Sequence, residues 1–78
     1  MNDCISLFEL PTGGSGRVVS IELPEDMRRR VQSLGLSVGT PVSCYAYAPC
    51  GNPGAYRIRG TTVALRKADA EKILIRPL

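Results

Sequence analysis

The sequence predicts a mainly β protein, a small, partly open barrel of about five strands with one helix inserted after the first strand and a short helical turn before the last. Three observations predict it. Eight glycines and six prolines are spread along the 78 residues, as many short elements joined by tight turns require. One stretch, Val42 to Ala48, alternates apolar and polar residues with a period of two. Only one segment, following Pro24, carries apolar residues at helical spacing over more than a turn.

Leu10-Pro11-Thr12-Gly13-Gly14-Ser15-Gly16 is built of turn residues, and the β-branched run after it starts a strand near Arg17. Val18, Val19 and Ile21 do not alternate cleanly, which fits a bulge or an ambiguous face. Pro24, Glu25 and Asp26 then combine a preset φ with two negative charges, a helix start favoured by the macrodipole. The helix runs to Leu34, with Met27, Val31 and Leu34 as its apolar stripe and Gly35 as its left-handed stop.

Val42, Cys44, Ala46 and Ala48 form the inward series of the next strand, alternating with Ser43, Tyr45 and Tyr47. The loop Pro49 to Gly54 leads into a partner strand, Ala55 to Arg59, so a hairpin is the simplest connection. Gly60 permits a second reversal before Thr61 to Leu65, where Val63 and Leu65 share a face. Lys67 to Lys72 supplies a short helical turn with Ala70 inward, and Ile73 and Ile75 make the last strand. The sum is an SH3-like, partly open barrel forming a single domain over residues 1–78. A chain of this length buries only about 60% of the surface its unfolded form exposes, so its core is thin.

The residue inventory argues against catalysis. There is no histidine, which removes the commonest general base and metal ligand. Glu25 and Asp26 are accounted for by the helix first turn. Gly13-Gly14-Ser15-Gly16 precedes a strand and lacks the Lys-Ser/Thr of a phosphate-binding loop, so it reads as a turn. Cys4, Cys44 and Cys50 are an odd number at no metal-knuckle spacing. Cys44 belongs to the inward series and Cys50 to the loop. The residues point to no cofactor and no metal. Met1-Asn2-Asp3 has no basic leader, and no run approaches the ~18 apolar residues of a membrane span. A cytoplasmic protein without membrane insertion is expected.

Binding is the better-supported role. The net charge is +3, and eight of the ten basic residues are arginine, which favours planar, multidentate contacts. If the hairpin keeps simple parity, Tyr45, Tyr47, Arg57 and Arg59 share its outer face, an aromatic and arginine surface of the kind enriched at protein interfaces. A one-residue slip would turn the tyrosines inward. Arg28, Arg29 and Arg30 fan around about 200° of helix and form a solvated face rather than a patch. The excess of charge falls short of a nucleic-acid-binding stripe; a nucleic-acid-binding barrel is the alternative from another class.

An ordered set of segments carries a family resemblance: Leu10 with Gly13 and Val18; Arg30 through Val42; the loop Pro49-Cys50-Gly51-Asn52-Pro53; and Gly60 leading to Ala64 through Ile73. In these the chain resembles the FeoA family of small cytoplasmic SH3-like proteins associated with bacterial ferrous iron uptake. Val31 and Gln32 depart from the family pattern, which usually has leucine-like residues there. The resemblance implies a partner, the cytoplasmic side of the FeoB membrane iron transporter, whose assembly or regulation the protein would support. It brings no iron-binding motif. The binding surface is then expected at Tyr45, Tyr47, Arg57 and Arg59, or at Pro49, Gly51, Asn52 and Pro53. The C-terminal SH3-like domain of DtxR-type metal-dependent repressors looks similar, and a freestanding module rather than part of a repressor is expected. Self-association through an open barrel edge is compatible with the sequence.

Overall fold

A computed structural model describes residues 3–78. Six strands form one antiparallel sheet in the order β1-β6-β2-β3-β4-β5: β1 (Ile5–Ser6), β2 (Ser15–Ile21), β3 (Pro41–Tyr47), β4 (Gly54–Ile58), β5 (Thr61–Leu65) and β6 (Ile73–Pro77). A 3₁₀ turn, Leu7–Glu9, follows β1; helix α1 spans Glu25–Ser33 and α2 spans Lys67–Ala70. The architecture is the expected SH3-like one with a strand more. Ile5 and Ser6 pair with Ile75 and Leu74, a contact across nearly the whole chain that no local pattern announces.

The strand expected from Arg17 begins at Ser15 and carries its bulge at Val19, between the Val18–Ile75 and Ser20–Leu74 pairs. That extra residue accounts for the broken alternation: Val18 and Ile21 are buried, and Val19 is exposed. The sheet closes around Leu7, Val18, Leu36, Tyr56, Ile58, Ala70, Ile73 and Ile75, all 2% exposed or less.

The helix stripe is corrected in part. Val31 is buried and Met27 packs against the core, but Leu34 falls after the last helical residue and is 43% exposed. Gly35 stands at φ +104° and ends the helix as expected. Past it, the Leu36 amide donates to the Val31 carbonyl at 3.0 Å, and Leu36 takes the buried place assigned to Leu34.

The β4–β5 hairpin closes through Arg59 and Gly60, both at positive φ (+52° and +82°), between the paired residues Ile58 and Thr61. Two consecutive left-handed residues match the twist of the flanking strands. Because Arg59 is one of them, the turn sets an arginine at the hairpin tip.

Candidate functional site

The β3–β4 hairpin positions the expected surface and also divides it. Cys44 pairs with Tyr56, but Ala46 pairs with Ala55 and Tyr47 with Gly54, so Tyr45 is an extra residue on β3. An inserted residue inverts the alternation beyond it. Ala46 and Ala48, expected in the core, are therefore only half-buried, and Tyr47, expected outside, turns inward.

Tyr47 lies edge-on to Phe8 and to Tyr56, with ring centroids 5.5 and 6.2 Å away. Its hydroxyl donates to the carbonyl oxygens of Phe8, at 3.0 Å, and Leu10. Burial pushes its phenol well above the ordinary tyrosine range, and hydrogen bonding to Cys44 adds to the shift. Burial raises Tyr56 too. Tyr47 is thus a packing residue. The separation of the two tyrosines corrects the four-residue face.

Three of the four residues do come together. Tyr45 is 59% exposed, and the Arg57 guanidinium carbon sits 6.0 Å from its ring centroid, at the edge of cation–π range. Arg57 and Arg59 line one shallow hollow with Ser15, Pro41, Val42, Ser43, Gly60 and Leu78.

The loop stands apart from that hollow, at the other end of β3 and β4. It is held by its own bonds: the Ala48 amide donates to the Pro53 carbonyl at 3.0 Å and the Gly51 amide to the Ala48 carbonyl at 2.7 Å, across a cis Asn52–Pro53 peptide. Asn52 uses its side-chain oxygen to accept the Lys67 amide at 3.0 Å, which caps α2. Pro49 and Pro53 are exposed and Gly51 half-buried.

Glu25 and Asp26 lie exposed in the first turn of α1, where Glu25 pairs with Arg29 at 2.8 Å. Among the described residues, no three cysteine, aspartate or glutamate side chains gather as a metal site. Cys44 is buried and Cys50 exposed.

Sequence reasoning missed Arg17 and Arg76. They face each other directly across β2 and β6, on the exposed side of the sheet. Only the β2–β6 pairing joins them.

The comparisons agree with this architecture. The family model described as the FeoA domain matches residues 5–77. The chain belongs to the FeoA family. A Porphyromonas gingivalis (strain ATCC BAA-308 / W83) protein, an Fe(2+) transport protein A/Fe(2+) transporter FeoB fusion protein, is 36% identical over 67 residues, covering 86% of this chain and 8% of that one. The chain therefore spans only a small part of that relative. Among solved structures, an FeoA-like protein from Clostridium acetobutylicum superposes with a TM-score of 0.86 at 33% identity, covering 100% of this chain and 91% of that one. FeoA of Stenotrophomonas maltophilia, complexed with zinc and described as a procaryotic SH3 domain protein, gives 0.78 at 31% identity over 91% and 88% of the two chains. The FeoA fold is thus an SH3-like barrel here as well.

Proposed function

We propose that this FeoA-family chain is a cytoplasmic accessory of ferrous iron uptake that acts by docking onto the cytoplasmic side of an FeoB-type transporter, supporting its assembly or regulation. The observation that carries the reading is the fusion relative, in which a homologous segment and an FeoB transporter share one polypeptide. Covalent joining places the two at high effective concentration, as suits partners that work in contact. The residues support binding rather than chemistry: no histidine in the sequence, the adjacent carboxylates Glu25 and Asp26 explained by the helix start, and exposed tyrosine and arginine on the hairpin.

Tyr45, Arg57 and Arg59 are the contact residues we favour, with the Pro49–Pro53 loop as a second candidate because it is exposed and already ordered. Pull-down of the cytoplasmic portion of the FeoB transporter from the same organism tests both levels. Capture by the wild-type chain is expected, with loss of capture by a Tyr45→Ala, Arg57→Glu double variant. No capture by the wild type overturns the transporter reading, and full capture by the folded double variant moves the contact to the loop.

A further inference from the structure

The outer side of the sheet carries a charge pattern wider than the hairpin. Arg76 lies opposite Arg17, and Arg17 opposite Pro41. Arg59, in the turn that follows β4, lines one hollow together with Pro41. Two residues along, the Leu78 amide donates to the Ser15 carbonyl at 2.9 Å, Ser15 lies opposite Ser43, and Ser43 opposite Arg57.

Residues two apart on a strand share a face. The result is two adjacent rows, Arg76, Arg17 and Pro41 ending at Arg59 in the β4–β5 turn, and Ser15, Ser43 and Arg57 flanked by Leu78 just past β6. Arginines stand at both ends, and small side chains leave the middle low. One hollow of about 400 Å³ lies on the Arg57 and Arg59 side of Leu78. Another, of about 410 Å³, lies on the Arg17 and Arg76 side and is lined by Val19 and Val38.

No aspartate or glutamate side chain lines either hollow. Among the described residues the one ion pair is Arg29–Glu25, on α1. Arg17 donates to the Gly39 carbonyl at 3.0 Å, and no carboxylate of the described residues lies within ion-pair distance of any of the four guanidiniums. Like charges directly opposite on paired strands are unfavourable. A surface that keeps four cations around apolar hollows, with no carboxylate of the described residues within ion-pair distance, is complementary to an anionic partner with apolar groups.

We propose that this four-strand face binds an acidic segment of a protein partner, with carboxylates on the arginines at either end and apolar side chains in the hollows beside Leu78. The proposal rests on the docking reading above and gives the chemistry of the segment that docks. A protein segment fits better than single-stranded nucleic acid, which is held by several stacked aromatics. Of this chain's four aromatic side chains only Tyr45 is exposed beside the face; Phe8 and Tyr47 pack against the core and Tyr56 is buried.

Fluorescence anisotropy at low salt tests it, with the intact chain and three labelled probes: a peptide of glutamate and leucine, its glutamine and leucine counterpart, and a single-stranded oligonucleotide of similar length. The acidic peptide is expected to bind about tenfold or more tighter than the neutral one. The variants Arg17→Gln/Arg76→Gln and Arg57→Gln/Arg59→Gln should each weaken it by about tenfold, while Arg28→Gln/Arg30→Gln on α1 leaves it unchanged, each variant being folded as judged by cooperative thermal unfolding. No binding of the acidic peptide, equal binding of the neutral one, an equal loss in the α1 variant, or tighter binding of the oligonucleotide overturns the proposal. Wild-type capture of the transporter portion by the sheet-face variants overturns this face alone. Absent capture by the wild type, with the acidic peptide still bound, overturns the transporter reading alone.

Discussion

The Tyr47 hydroxyl on β3 donates to the carbonyl of Phe8 at 3.0 Å, tying the hairpin to a segment 39 residues earlier. The bond exists because the bulge at Tyr45 turns Tyr47 inward over Gly54. The same bulge leaves Tyr45 outside beside Arg57. One inserted residue thus separates a structural tyrosine from a surface one.

Tyr47→Phe keeps the ring contacts and leaves the Phe8 and Leu10 carbonyls without this donor, at an expected cost of about 1–2 kcal/mol. Tyr47→Ala removes the ring as well and should cost about 3–5 kcal/mol. Urea unfolding measures both, and Tyr47→Phe should leave partner capture unchanged.

Tyr45→Ala should shift stability by no more than about 0.5 kcal/mol, because the side chain is mostly in water. Its effect is expected in the pull-down. A loss of stability equal to that of Tyr47→Ala would mean that the two tyrosines do not differ in role.

Arg76→Glu replaces a like-charged pair across β2 and β6 with an opposite-charged one. A gain of about 0.5 kcal/mol in urea unfolding at low salt is expected, shrinking as salt rises. Acidic-peptide binding should fall in the same variant, so stability and binding move in opposite directions.

Gly54→Ala would put a Cβ 2.7 Å from the Tyr56 hydroxyl and 2.9 Å from the Tyr47 ring. Both rings are held by core packing and neither can swing away, so a loss of about 1–3 kcal/mol is expected from thermal or urea unfolding.

The raised phenols of Tyr47 and Tyr56 give stability a definite dependence on pH. The folded chain keeps protons that the unfolded chain releases above the ordinary tyrosine value of about 10. Their contribution is therefore complete below about pH 10 and declines as pH rises beyond it. Urea unfolding across that range should show the decline, and Tyr47→Phe should flatten it.

Much of the fold was legible because its signals are local. The helix start at Pro24-Glu25-Asp26, the stop at Gly35, the turn at Gly60 and the burial of Val42, Cys44, Val63, Leu65, Ile73 and Ile75 each depend on a few neighbouring residues. The candidate surface was legible only in part. Tyr45, Arg57 and Arg59 are legible because they alternate on one hairpin, and the inward turn of Tyr47 is not, because a bulge leaves no mark in alternating residues that are all compatible with a strand.

By itself, then, the sequence determined the class of fold, the order of its elements, an inventory poor in catalytic groups and the family to which the chain belongs. Tertiary structure alone decided that Ile5–Ser6 is a sixth strand, that Leu36 rather than Leu34 is buried, and that Arg17 and Arg76 meet on one face with Arg57 and Arg59. The physical reason is range. Turn chemistry and side-chain period act over a few residues, whereas strand register is set by pairing between segments far apart in the chain, and a single bulge changes which residues that pairing brings together.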